Sequence, residues 1–241
     1  MSIADKLITI AENEPKVFEA GKTAEYNEFW NETHNNTKNG SHAYAGYHWT
    51  DNNFKPTRDI VIGYGERIFY ATGIVDLRGC LKRQGVVLDT SKSGTMNYAL
   101  NSTSLKYLPV IDCSGVNRAA GINYCISGCT DLEEVEKIIL PDYTKISNYN
   151  GFLSGCSKLT KAPLEGVIGK SGFNISGSPN LDLPSAKNIL TCLADLTGTE
   201  NEFAFSVKIA QDVWDRLAED GTTAPNGLTW EEYVDSKGWL T

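Results

Sequence analysis

Histidine, methionine and net positive charge are all scarce in this 241-residue chain, and each shortage removes a class of function. Its 22 Lys and Arg are outnumbered by 30 Asp and Glu, giving a formal net charge of −8. That balance argues against nucleic acid, whose phosphates are held mainly by Lys and Arg. No stretch approaches the ~18 consecutive apolar residues of a membrane span. The opening Met1-Ser-Ile-Ala-Asp-Lys-Leu7 lacks the charged start, apolar stretch and cleavage site of a secretion signal. The chain is therefore expected to be made and kept in the cytosol, or to leave the cell by lysis. Six cysteines are too sparse for a disulfide scaffold.

Motifs for chemistry are missing as well. Gly63-Tyr-Gly65 lacks the third glycine and the helix of a phosphate loop, and no Gly-x-Ser-x-Gly elbow occurs. Cys125-x3-Cys129 has no second pair or neighbouring histidine to complete a zinc site, and His42, His48 and Asp51 match no standard metal spacing. The pairs Glu133-Glu134 and Glu231-Glu232 are adjacent, so their side chains diverge and read as solvated surface. No enzyme activity, metal or cofactor is expected.

What the chain does have is self-similarity. Asn101-Ser-Thr-Ser-Leu105, Gly128-Cys-Thr-Asp-Leu132 and Gly155-Cys-Ser-Lys-Leu159 place three leucines 27 residues apart (132 − 105 and 159 − 132). Seven positions earlier stand Tyr98, Cys125 and Phe152. After each leucine comes a short apolar run: Leu108 to Asp112, Val135 to Leu140, and Ala162 to Ile168. A fixed period of this size predicts a solenoid, whose units bury their apolar faces only by stacking. Leu105, Leu132, Leu159, Cys129 and Cys156 are its expected structural positions, with the two cysteines stacked as small buried hydrophobes. The fold expected is an α/β repeat, a leucine-rich-repeat-like solenoid with one short parallel strand per unit.

Four regions follow from this pattern. Residues 1–40 read as a helical arm, in which Ile3, Leu7, Ile10 and Val17 fit a seven-residue oligomerisation seam, or else fold back as a cap. Residues 41–66 form a polar capping or linking region. There Tyr44, Tyr47 and Trp49 lie among Asn and Asp, either as a sugar-stacking face or as a lid on the open apolar end. Residues 67–207 hold the repeats. A first irregular unit has Ile74 to Leu77 in the leucine slot and Val86 to Ser91 as its strand. Ser185 is expected to cap a helix carrying Ile189, Leu193 and Leu196 and ending at Gly198, with Glu202 to Val207 as the last strand. Residues 208–241 form a helical C-terminal cap, with Ile209, Val213 and Leu217 on one helix face and a Thr229-x-x-Glu232 capping box on another.

The unit Gly-Cys-Thr/Ser-x-Leu with its following apolar run resembles the BspA-like leucine-rich repeats common in gut and oral bacteria and their prophages. The opening Ser2-Ile-Ala-Asp-Lys-Leu7, with Lys16 to Gly21, looks like the start of phage-encoded structural proteins of Firmicutes hosts. The resemblance implies a non-enzymatic virion component of tail, baseplate or fibre that binds a host surface or another protein. Its implied partners are other virion proteins and a host cell-surface glycan or protein, with a homotrimer built by the arm. The alternative is a free protein-interaction module attached to no particle.

Overall fold

The computed structural model describes residues 51–52, 60–62, 65–69, 73–101 and 104–241. Tyr107–Asp112 and Glu134–Ile139, labelled β3 and β4, are the longest strands among them. Their β-branched and aliphatic residues suit a half-buried pleat. Each buries its second and fifth residue, and parallel pairing sets Leu108 beside Val135 and Ile111 beside Ile138. The register is thus 27 residues, and the leucines that announced it, Leu105, Leu132 and Leu159, are completely buried.

The remaining strands are two residues each: β1 (Ile60–Val61), β2 (Leu88–Asp89), β5 (Leu164–Glu165), β6 (Asn174–Ile175) and β7 (Lys208–Ile209). They form three separate parallel sheets, β1 with β2, β3-β4-β5, and β6 with β7. This overturns the expectation of a solenoid with one strand in every unit. The described residues form an α/β fold with short parallel sheets and four helices. Local chemistry explains the breaks. After β2, the Asp89 carboxylate bends the chain by accepting from the Ser91 amide and hydroxyl. After β5, Gly166 takes φ 112° and leaves the extended region.

Helix α1 (Leu77–Gln84) stands where the sequence suggested only a leucine slot. Asp76 caps it through Gly79 N–H at 2.8 Å, and Gly85 closes it at φ 65°. Its buried Leu77, Cys80 and Leu81 face the core. Asp51 braces its start, accepting from the amides of Val75 and Asp76 and from the Cys80 thiol.

Helix α2 (Leu183–Thr191) begins three residues before the expected cap. Asp182 is the N-cap and accepts from Ser185 N–H, with Pro184 tolerated in the first turn. The Ser185 hydroxyl instead accepts from the Ala162 amide. The helix ends at Thr191, well before Gly198, because its terminal carbonyls meet a cation: Lys237 Nζ lies 3.2 Å from Thr191 O and 2.6 Å from Leu193 O. Glu202 to Val207 is not a strand either; its first part is a turn, and the pairing residues are Lys208 and Ile209.

Helix α3 (Gln211–Glu219) buries Val213, Trp214 and Leu217, and α4 (Trp230–Ser236) carries the expected capping box on Thr229 and Glu232. Trp239 is fully buried and donates its indole N–H to Ala194 O at 2.8 Å.

Candidate functional site

Of the residues marked out by sequence, Tyr44, Tyr47 and Trp49, with Ile3, Leu7, Ile10 and Val17, lie outside the described residues. Leu105, Leu132, Leu159, Cys129 and Cys156 are all buried in the core. The Cys129 thiol donates to Leu100 O at 2.9 Å, and the Cys156 thiol to Ile126 O at 3.2 Å. Each satisfies a turn carbonyl that no other group in the dry interior reaches as directly.

These thiols are not nucleophiles. Cys156 is pushed well above the ordinary thiol range by its hydrogen bond to Cys129 and by burial, and Cys125 likewise by Cys113 and burial. Burial and the neighbouring Asp51 push Cys80 up to about 12. The thiolate is the reactive form, so raising the pKa suppresses it. Among the described residues no group of three His, Cys, Asp or Glu is placed to hold a metal ion, and no helix is long and apolar enough to cross a membrane.

The carboxylate pairs are also engaged. Glu133 accepts from the Tyr107 hydroxyl at 2.8 Å and sits 3.6 Å from Lys106, while Glu134 meets Arg78 at 3.0 Å. The Arg78 guanidinium lies 4.4 Å from the Tyr107 ring centroid.

A different group of residues is brought together by the turns that precede the buried leucines. Backbone bonds run from Arg67 N to Asn97 O, from Tyr98 N to Asn123 O and from Tyr124 N to Asn150 O. A parallel set runs from Phe69 N to Ala99 O, Leu100 N to Cys125 O and Ile126 N to Phe152 O. Arg67, Tyr98, Tyr124 and Gly151 are therefore equivalent, and all four have positive φ, at 56°, 54°, 54° and 66°. Glycine accepts that region freely, whereas a bulky side chain there costs about 1–2 kcal/mol. Three of these four turns carry that strain.

The strained side chains form a column. The Arg67 guanidinium lies 4.8 Å from the Tyr98 ring centroid, and the Tyr98 and Tyr124 rings stack at 4.9 Å with 14° between their planes. Beyond Tyr124 the backbone of Gly151 takes the place of a third ring, since a Cβ there would fall inside the Tyr124 ring. Stacking and cation–π attraction offset part of the strain. Both tyrosines remain half-buried, and exposed Asn150 donates its amide to the Tyr124 hydroxyl at 3.1 Å. Asn97 and Asn123 precede the two tyrosines, so Asn-Tyr occurs twice and Asn-Gly once along the column. The buried Asn123 carboxamide oxygen meets no hydrogen-bond partner among the described residues.

Sequence spacing hid this column. Counting back seven from each leucine pairs Tyr98 with Cys125 and Phe152. The backbone bonds pair it with Tyr124, because the first unit is one residue shorter between the turn and Leu105. The recurring dipeptides Asn97-Tyr98, Asn123-Tyr124 and Asn150-Gly151 were the available signal. The chain matches no known family, curated protein or solved structure.

Proposed function

We propose that the chain is a non-enzymatic structural and adhesive component of a phage particle that touches a host surface through the Tyr98–Tyr124 column. The observation that carries the reading is that column: two partly exposed aromatic side chains held in register on strained backbone. Backbone strain concentrates where a surface is used. The shifted thiols and the engaged carboxylates support a role without chemistry. The virion assignment draws on the resemblance of the repeat segments and of the opening residues to phage-encoded proteins. The seam Ile3, Leu7, Ile10 and Val17 would assemble three copies, with other virion proteins as further partners.

The test is binding of the labelled full chain to intact Firmicutes cells, with the mass of the chain in solution from light scattering. Saturable binding that Tyr98→Ala and Tyr124→Ala remove, together with a trimer mass, supports the proposal. A monomer that binds no cells and captures a soluble protein instead would replace it with the free interaction module.

A further inference from the structure

We infer that the ligand of the Tyr98–Tyr124 column is a neutral polysaccharide chain, held by phenol hydroxyls and asparagine amides and not by ring faces. The inference rests on the adhesive reading above and narrows its ligand. The ring faces are already used: Tyr98 is sandwiched between Arg67 and Tyr124, and Tyr124 between Tyr98 and the Gly151 backbone. No planar ligand can stack there. What the column offers is ring edges and hydroxyls, repeated at the 4.9 Å stacking distance and flanked by amides.

These groups are set up to exchange hydrogen bonds. The Asn150 amide occupies a lone pair of the Tyr124 hydroxyl, which leaves that hydroxyl its own proton to donate. The Tyr98 hydroxyl meets no partner among the described residues, so it can donate and accept. The orphaned Asn123 oxygen adds an acceptor that a donor from outside would satisfy. Sugar hydroxyls both donate and accept, and a polymer repeats them along its length.

Charge and backbone argue against other occupants. A polyanion would approach a chain of net charge −8 at a strip whose cation, Arg67, is stacked over Tyr98. An extended peptide would need free backbone groups to pair with. Here Tyr98 N, Tyr124 N, Asn123 O and Asn150 O already bond to one another in the ladder between turns. A strip this shallow binds weakly at one copy, and several copies on a particle raise the total strength by about 10²–10⁴.

The experiment is affinity electrophoresis of the full chain in gels containing dextran, mannan, laminarin or soluble starch, with alginate as the acidic control. The Y98F/Y124F double variant keeps both rings and removes only the hydroxyls. A neutral polymer should retard the natural chain and alginate should not. The double variant should lose about tenfold in apparent affinity while its melting temperature stays unchanged. Equal retardation of the double variant overturns the site, and retardation by alginate alone overturns the ligand class. Cell binding that depends on Tyr98 and Tyr124, without retardation by any of the four neutral polymers, also overturns the class but leaves the adhesive reading standing. Loss of both overturns the adhesive reading itself.

Discussion

The Cys129 thiol hydrogen reaches the carbonyl of Leu100, 2.9 Å away and 29 residues earlier, inside a core from which water is excluded. Both groups depend on each other, because a buried carbonyl without a donor costs about 1–3 kcal/mol. Cys129→Ala should therefore lower the urea midpoint by an amount in that range. Cys129→Ser, whose hydroxyl can serve the same carbonyl, should lose less. Equal losses in the two variants would show that volume, not the hydrogen bond, is what Cys129 supplies.

Leu132 is fully buried between Leu105 and Leu159 in the sequence of repeats. Truncation to alanine removes three carbons and leaves a cavity, so Leu132→Ala should destabilise by about 2–5 kcal/mol. An unchanged thermal midpoint would contradict its place in the core.

Two glycines separate strain from collision. Gly85 and Gly151 share nearly the same φ, 65° and 66°, but a Cβ at Gly85 meets nothing, whereas at Gly151 it enters the Tyr124 ring. Gly85→Ala should cost about 1 kcal/mol from backbone conformation alone. Gly151→Ala should cost more and should weaken the near-ultraviolet circular dichroism of the stacked tyrosines. If the two variants behave alike, Tyr124 does not rest on Gly151.

Acid should destabilise the fold in a defined direction. Asp131 is held below the usual carboxylate range by its bond to Lys158, Asp220 by Lys187, Asp142 by the Thr144 hydroxyl, Asp195 by the Thr197 hydroxyl and Glu232 by the Thr229 amide. A carboxylate whose pKa is depressed on folding stabilises above its unfolded value and loses that contribution as pH falls through the folded one. The melting temperature should be nearly flat from neutral pH to about 5 and fall below about 4, where free carboxylates begin to protonate. A fall beginning near pH 6 would assign the transition to other groups.

The raised thiols predict silence toward alkylating reagents. With Cys80 near 12, roughly one thiol in 10⁴ is ionised at pH 8. Iodoacetamide at that pH should leave Cys80, Cys125 and Cys156 unmodified in the native chain and label them after denaturation, read by mass spectrometry. Rapid native labelling of Cys80 would mean that the contact with Asp51 is absent in solution.

How much of this could be read from residues alone depended on the range of the interaction. Leu105, Leu132 and Leu159 stood out because burial imposes one residue type at one slot, and Thr229 with Glu232 stood out because a capping box is local. The helix at Leu77–Gln84 was missed since Gly79 sits in it and its polar face is short of regular spacing; its start is set by Asp76 and by distant Asp51. The extent of each strand was misjudged because turns such as Asp89 to Ser91 end pairing earlier than apolar content suggests. The tyrosine column depends on a one-residue difference in turn length, which only the backbone bonds reveal.

The parallel pairings also set an order in time. Partners across the sheets are separated by 28 residues for Ile60 and Leu88, 27 for Tyr107 and Glu134, 26 for Ile138 and Leu164, and 34 for Asn174 and Lys208. At the ~5–20 residues per second of synthesis, the second strand of each pair leaves the ribosome roughly one to seven seconds after the first. No strand waits for a partner from the far end of the chain. Assembly can follow translation pair by pair, so little unpaired strand edge is exposed at any moment to a neighbouring nascent chain.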